Sequence, residues 1–153
     1  MMPTLHDNSA YHALVARIQQ LTPTAERRWG TMSPAEMLEH LHLAIGCAVR
    51  DDMHLPDGST FGSRTVGKYL FVHLLQKYPK GTKTGAMLLP HNTTDLAHGR
   101  ALLLEDVSLL REQYIRAPQS AFFPHPLFGN LSGKEWGLLA YKHTDHHLRQ
   151  FGV

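Results

Sequence analysis

The sequence predicts an all-α fold, an up-and-down bundle of four helices with a long, partly ordered connection between the second and third helices. Four stretches have apolar residues at helical spacing, and two of them open with a capping-box sequence. Strand signals are weak, because no Asn-Gly or Asp-Gly pair lies between two alternating runs. Four helices with one long connection are typical of a helical bundle.

The first helix is predicted from about Asn8 to Leu21, with Asp7 or Asn8 as its cap. Its apolar stripe consists of Ala10, Leu14, Ile18 and Leu21. The second helix has the clearest start signal, in which an N-cap Ser33 precedes Pro34 and is followed three residues later by Glu36. This helix is expected to continue to about Val49.

Residues 51–93 are the least regular part of the chain, with five glycines and three prolines spread over the segment. A short helix is predicted around Val66–Lys77. Because a structureless connection of this length is unusual in a compact domain, the segment is expected either to be partly ordered over the domain or to act as a lid.

The third helix is predicted over about Thr94–Arg116. Its bundle-type seam consists of Leu96, Leu103, Val107, Leu110 and Tyr114. A second capping box, in which Ser132 precedes Glu135 by three residues, opens the fourth helix. The fourth helix is expected to continue to about Phe151.

The composition fits one domain over residues 1–153, with 42% hydrophobic and 18% charged residues. The formal net charge of +2 is too balanced to indicate nucleic acid or an anionic membrane as the main partner. No apolar run approaches the roughly 20 residues of a membrane span, and no signal peptide is predicted. The single Cys47 excludes an internal disulfide and favours the reducing cytoplasm.

Histidine is in surplus, with twelve residues in the chain, and it is the commonest metal ligand among the side chains. His143 and His147 lie four residues apart on the fourth helix, so their rings are on one face about one turn apart. Trp136, Leu139 and Gln150 share this face, whose apolar start indicates that it points into the bundle. Two imidazoles at this spacing can chelate one metal ion.

A third ligand is expected from the second helix, which offers His40 and His42. These two residues differ by about 200° in helical phase, so they cannot share a face. Small and apolar neighbours, among them Ala44, make the His40 side the inward one, and His42 is predicted at the surface. The alternative interpretation is that the inward histidines are hydrogen-bonded core residues without a metal.

Two further residues on the second helix lie close to His40 in phase or in sequence. Cys47 could contact a metal or a substrate, but a small buried hydrophobe is the favoured interpretation. Glu36 precedes His40 by four residues and could act as a base or accept a hydrogen bond from that imidazole. Its place in the capping box already explains it, so capping is the favoured interpretation.

The end of the chain offers the other candidates for the second shell or the pocket. Gln150 is expected to orient a histidine ligand through a hydrogen bond, and Trp136 is expected to line the pocket. His146 lies at the edge of the ligand face, and His125 either reaches the pocket mouth or packs within its own loop. Asp145 is expected to face away from His147, towards solvent or another subunit.

The segments WGTMSPAEMLEHLHLA and HPLFGNLSGKEWGLLAYKHTDHHLRQFG resemble the DinB/YfiT-like superfamily of metalloenzymes. Within it, the sequence is most similar to a bacterial branch described as a domain of unknown function. The resemblance implies a four-helix bundle and a three-histidine metal site, whose ligands fall on His40, His143 and His147. The argument from helical phase selects the same three residues.

The resemblance also implies what the site binds. Some members of the superfamily are thiol S-transferases or isomerases that use low-molecular-weight thiols, and dimers are common among them. The implied cofactor is therefore a divalent metal, with zinc or nickel as the leading candidates, together with a low-molecular-weight thiol as cosubstrate. The implied partners are a small-molecule substrate and a second copy of the chain.

Three histidine ligands without a fourth protein ligand describe an open site of the catalytic type. A divalent metal in such a site can lower the pKa of a bound water or hold a thiol as the thiolate. The leading hypothesis is a metal-dependent enzyme that transfers a thiol to an electrophile, followed by metal-assisted hydrolysis. The alternatives are a non-catalytic metal-binding or stress-response module on the same fold and a plain bundle with structural histidines.

Overall fold

The computed structural model describes residues 1–91 and 95–153, and over these residues the fold is all-α, as predicted. The described α-helices are α1 (Asn8–Gln20), α2 (Pro34–Gly46), α3 (Leu96–Arg116) and α4 (Gly133–Gln150). The described residues form no strand, and an isolated antiparallel bridge joins His125 to Gly129. The predicted start of the third helix at Thr94 lies outside the described residues.

Both predicted capping boxes are present. The Ser33 hydroxyl accepts a hydrogen bond from the backbone N–H of Glu36, and the Glu36 carboxylate accepts one from the backbone N–H of Ser33. Ser132 and Glu135 make the same reciprocal pair at the start of α4. Because each box satisfies backbone donors that the helix itself leaves unpaired, the local sequence fixes both starts.

Helix α3 ends at Arg116 as predicted, and α1 and α4 end within one residue of the prediction, but the end of α2 differs. Helix α2 ends at Gly46 and does not reach Val49. Beyond Ile45 the chain continues in turns whose hydrogen bonds join residues three apart. The backbone N–H of Ala48, for example, donates to the Ile45 carbonyl at 3.0 Å. Gly46 has a low helix propensity, which favours an end at this point.

The connection between α2 and α3 is partly helical, and the elements described in it are π-helical and 3₁₀ turns. Two π-helical turns span Ser63–Gly67 and Tyr69–Leu74, and a 3₁₀ turn spans Ala86–Leu88. The predicted helix over Val66–Lys77 therefore begins earlier and ends earlier than expected. The helical segment ends beside Lys142 of α4. Nζ of this lysine donates to three backbone carbonyls there, those of Phe71, Val72 and Leu75.

Buried side chains from all four α-helices form one hydrophobic cluster. The predicted stripe of α1 is buried at Leu14, Ile18 and Leu21, and Ala10 is half-buried. In α3 the three central seam residues are buried and the two outer ones are half-buried. Helix α2 packs most extensively against α3 and also contacts α4.

The prediction that His42 lies at the surface is wrong. Its side chain is 14% exposed, and its Nδ1–H donates to Oδ2 of Asp106 at 2.6 Å. Asp106 of α3 is fully buried and also accepts from Nε of Arg50 at 2.5 Å. The physical reason is that α2 packs against α3 on one face and α4 on another, so both His40 and His42 face other helices.

No helix among the described residues is both long enough and apolar enough to cross a membrane.

Candidate metal centre

Three imidazoles from two helices converge at the interface of α2 and α4. His40 comes from α2, and His143 and His147 come from α4. Nε2 of His143 lies 2.9 Å from Nε2 of His40 and 3.1 Å from Nε2 of His147. One ring nitrogen from each residue lies within 4.8 Å of the other two. The structure thus brings together the three histidines that the sequence singled out.

Two of these rings are held in a defined tautomer by partners on their far side. Nδ1–H of His40 donates to the backbone carbonyl of Leu88 at 2.7 Å, and Nδ1–H of His147 donates to Oε1 of Gln150 at 2.7 Å. Each Nε2 is therefore left unprotonated in the neutral ring, with its lone pair directed at His143. A hydrogen bond to the remote nitrogen is the usual arrangement around a metal-binding histidine.

Burial keeps the three rings in the neutral form that binds metal. Burial lowers the pKa of His40 below its usual range, and it lowers the pKa of His147 to about 3. Burial and the two neighbouring imidazoles hold the pKa of His143 well below its usual range. A cluster of this kind cannot readily bind protons at neutral pH, so its lone pairs remain available to a cation.

The spacing fits a metal ion after a small adjustment. Two nitrogens bound to a tetrahedral zinc ion at about 2.0 Å are about 3.3 Å apart. The observed separations of 2.9 and 3.1 Å are a few tenths of an ångström shorter. Without a cation, His143 can donate its single Nε2–H to only one of its two neighbours, so the lone pair of the other neighbour has no donor among the three rings. The donor set and its geometry therefore fit a divalent metal.

Gln150 is positioned by the turn that precedes α2. Its side-chain N–H donates to the backbone carbonyl of Trp29 at 3.3 Å. Gly30 follows with φ of +83°, a left-handed conformation that favours glycine. A side chain at Gly30 would also collide with the Gln150 amide. The turn thus holds the amide with its oxygen directed at His147.

The two additional candidates on α2 have roles outside the histidine cluster. The Glu36 carboxylate serves the capping box, and both ring nitrogens of His40 have other partners, so Glu36 makes no hydrogen bond to that imidazole. Cys47 is 3% exposed, and burial raises the pKa of its thiol to about 12. The thiol is outside the cluster of ligand atoms and has the character of a small buried hydrophobe.

His125 and Trp136 pack together behind the loop that precedes α4. The ring centroids of the two residues are 5.2 Å apart, and His125 also stacks on Phe128 at 4.7 Å. Nδ1 of His125 accepts hydrogen bonds from the backbone N–H groups of Leu127 and Phe128. These contacts make His125 a residue that orders its own loop, although it also lines a cavity on that side of the molecule.

His146 lies beside the cluster, on the side where the connection covers α4. Its ring centroid is 5.3 Å from that of His147 and 6.0 Å from that of Tyr78. Tyr78 in turn lies 6.2 Å from the His143 ring. Burial lowers the pKa of His146, which Asp145 partly offsets. His146 is therefore neutral near pH 7 and adjacent to the cluster without belonging to it.

Asp145 faces away from the cluster, but it does not face solvent as expected. Its side chain is 12% exposed and pairs with Arg17 of α1 at 2.7 Å and with Arg149 one turn along α4. Helix α1 covers this side of α4, so the carboxylate is buried in an ion-pair network within the chain.

Three residues near the cluster have no signal in the sequence. Leu88 contributes a backbone carbonyl, which any residue could supply. Tyr78 and Lys142 come into place only when the irregular connection packs on α4, and that segment has no apolar periodicity from which its position could be predicted.

The chain belongs to the family described as a protein of unknown function (DUF1569), whose family model matches residues 5–152. No curated protein matches the chain, and no solved structure matches it.

Proposed function

We propose that this chain is a metal-dependent enzyme with an open three-histidine centre, built as a single DinB-like domain over residues 1–153 in which α1–α4 form an up-and-down four-helix bundle. The observation that supports the centre most directly is the convergence of three neutral Nε2 atoms, two of them held in the ligand tautomer by Leu88 and Gln150. In both fixed tautomers the nitrogen left with a free lone pair is Nε2, the atom that would bind the metal.

His40, His143 and His147 would hold the metal through Nε2, and zinc or nickel suits an all-imidazole donor set. Among the described residues the ligand cluster has no fourth member, which is typical of a catalytic metal site. A divalent metal bound there supplies Lewis acidity, which activates a thiol or a water. Thiol transfer to an electrophile is the first reaction proposed, following the resemblance in the sequence, and hydrolysis is the second.

Metal analysis tests the centre. Purified wild-type protein should contain about one divalent metal per chain by elemental mass spectrometry, and His143→Ala should contain almost none. His12→Ala removes an exposed histidine of α1 and should keep the full metal content. Equal metal content in wild type and His143→Ala, with His143→Ala folded by circular dichroism, would overturn the assignment.

A non-catalytic metal-binding module is the second candidate, and one observation favours it. Among the described residues the ligand cluster contains no carboxylate, and Glu36, the candidate base that the sequence singled out, is engaged in the capping box. Metal-loaded protein incubated with low-molecular-weight thiols and electrophiles separates the two functions. Turnover that is lost in His40→Ala supports the enzyme, whereas full metal occupancy without turnover supports the module.

The proposed homodimer is tested by sedimentation equilibrium. The chain mass is 17.2 kDa, so a dimer should have twice this mass, and a species that retains the chain mass at all concentrations would contradict it.

A further inference from the structure

A cleft of about 330 Å³ lies next to the histidine cluster. Its aromatic lining consists of Trp29, Tyr78 and His146. Its charged lining has five cations and one carboxylate, namely Arg28, Lys77, Lys80, Lys142, Arg149 and Asp145. A net charge of +2 for the whole chain makes this local excess of positive charge unusual.

The cleft and the histidine cluster share two residues as a wall. Tyr78 and His146 line the cleft, and their rings lie 6.2 Å from the His143 ring and 5.3 Å from the His147 ring, respectively. A molecule in the cleft is therefore one layer of side chains from the three Nε2 atoms.

Most of the positive charge in the cleft is not neutralised by the protein. Asp145 is shared between Arg149 and Arg17, which lies outside the cleft lining. The Lys142 ammonium donates to three backbone carbonyls, which carry no net charge. Arg28, Lys77 and Lys80 are exposed, and none of them pairs with a carboxylate among the residues that the structure describes.

A larger cavity elsewhere shows the contrast. This cavity of about 430 Å³ is lined by Arg64 and Lys68 among others. Arg64 pairs with Asp57 at 2.7 Å, and Lys68 pairs with Glu135 at 2.9 Å. Its cations are thus locally neutralised, so the excess of positive charge belongs to the cleft beside the histidines.

We propose that the cleft binds a small organic anion, a carboxylate or phosphate attached to a flat apolar group. A concave site lined by one sign of charge concentrates the opposite charge. Trp29 and Tyr78 contribute aromatic surface for the apolar part, and Lys80, whose Nζ lies 4.4 Å above the Trp29 ring, places a cation beside that surface. That this anion is the substrate of the metal centre rests on the proposed function, whereas the binding of the anion does not.

Calorimetric titration of chelator-treated protein with phenyl phosphate and with benzoate tests the proposal. We expect saturable binding of at least one of them and no binding of uncharged phenol. Binding should weaken by about tenfold or more as the salt concentration rises from about 0.02 to about 0.5 M, because salt screens the attraction between charges. Comparison of the two anions distinguishes a phosphate site from a carboxylate site. Quenching of Trp29 fluorescence, absent in Trp29→Phe, provides a second readout.

A matched pair of double variants identifies the cations responsible. Arg28→Gln combined with Lys80→Gln should weaken binding of the anion at least tenfold. Arg116→Gln combined with Lys134→Gln removes one exposed arginine and one exposed lysine outside the cleft, and it should bind as wild type does. Absence of binding by both anions, equal binding of phenol, or equal loss in both double variants would overturn the proposal.

Two results separate this proposal from the proposed function. Anion binding without metal binding would support the proposed anion site and contradict the proposed metal enzyme. Metal binding without anion binding would support the metal centre and contradict the proposed anion site. His143→Ala should lose the metal and keep the anion, because the cleft lining does not include His143.

Discussion

Gln150 acts on two partners with the two ends of one amide. Its oxygen accepts from Nδ1–H of His147, and its N–H donates to the Trp29 carbonyl. The second bond fixes which end of the amide faces the histidine, and the first fixes which nitrogen of the histidine faces the cluster. Each link is a single hydrogen bond in a buried environment, where an unpaired partner is costly.

Gln150→Leu should therefore lower the affinity for zinc by about 10- to 100-fold, the usual effect of losing a partner behind a ligand. The leucine fills the space but leaves Nδ1–H of His147 without an acceptor. Gln150→Glu is the matched control, because its carboxylate still accepts from that N–H. Competition with a chromophoric chelator measures both affinities, and equal losses in the two variants would contradict this role.

Acid should destabilise the folded protein through His125. Burial lowers the pKa of His125 to about 3, whereas a histidine in an unfolded chain titrates near about 6.5. Between these two values the unfolded state binds the extra proton. The free energy of unfolding contributed by His125 therefore falls as the pH drops from about 6.5 towards 3, with a slope of up to about 1.4 kcal/mol per pH unit.

His125→Asn should flatten this dependence. The asparagine oxygen can take the place of Nδ1 as the acceptor for the backbone N–H groups of Leu127 and Phe128, but it does not titrate. Urea denaturation at a series of pH values from about 7.5 to about 4.5, a range that begins above the pKa of a free histidine, measures the slope. His12→Asn, in the exposed part of α1, is the control, and an unchanged slope in His125→Asn would count against the assignment.

At the scale of the elements, Lys142 joins the connection to α4. Its Nζ donates to the carbonyls of Phe71, Val72 and Leu75 at 2.6, 2.8 and 2.9 Å. These carbonyls belong to the π-helical turn at Tyr69–Leu74 and to the residue after it, where the helix no longer supplies donors. The Lys142 side chain, which comes from another helix, thus acts as the C-terminal cap of the π-helical turn and explains why this turn ends at Leu74.

Lys142→Met should lower the free energy of unfolding by about 2 kcal/mol, because buried carbonyls lose their donor while the aliphatic part of the side chain is kept. Hydrogen exchange should accelerate in residues 69–78 and remain unchanged in the capping box of α4. Lys134→Met, on an exposed position of the same helix, should change neither quantity. Loss of stability with unchanged exchange in residues 69–78 would show that the lysine acts elsewhere.

The capped starts of α2 and α4 could be predicted from the sequence, whereas the end of α2 and the bounds of the π-helical turn could not. Ser33 and Ser132 pair with glutamates only three residues away, so each start is encoded locally. The end of α2 at Gly46 depends on the turns that follow it, and the end of the π-helical turn at Leu74 depends on Lys142. Both features are determined by packing. Local spacing determines the first kind of feature, and contacts between distant segments determine the second.

At the scale of the whole molecule, the histidine cluster joins α2 to α4 across the core, so a metal bound there links distant parts of the chain. A ligand that binds the folded state at about 100 times its dissociation constant adds about 2.7 kcal/mol to the free energy of unfolding. For a chain of 153 residues, this corresponds to a rise in Tm of roughly 5–10 °C.

Scanning calorimetry with excess zinc and with chelator should show this difference in wild type. His143→Ala should have one Tm under both conditions, whereas His12→Ala should respond as wild type does. A Tm in wild type that is independent of chelator would favour the plain bundle with structural histidines.

The three inward histidines could be selected from helical phase because two lie on one face of α4 and the third shares a face with small residues of α2. The same reasoning wrongly predicted His42 at the surface. Helical phase indicates the direction of a side chain around its own helix, but it does not indicate how many neighbouring helices pack around that helix. Helix α2 has neighbouring helices on two sides, and on the side of α3 the Asp106 carboxylate accepts a hydrogen bond from His42. Tyr78, Leu88 and the basic cleft depend on the path of the connection, which no periodicity in residues 51–93 encodes.

The hydrogen bond from His40 to the Leu88 carbonyl has a kinetic consequence. Leu88 belongs to the 3₁₀ turn at Ala86–Leu88, in the connection and not in either helix of the cluster. Because this carbonyl holds the His40 ring in place, we expect a metal bound to His40 to be released faster from molecules in which the turn has opened. If opening is the slow step, the rate at which a chelator removes the metal should become independent of chelator concentration.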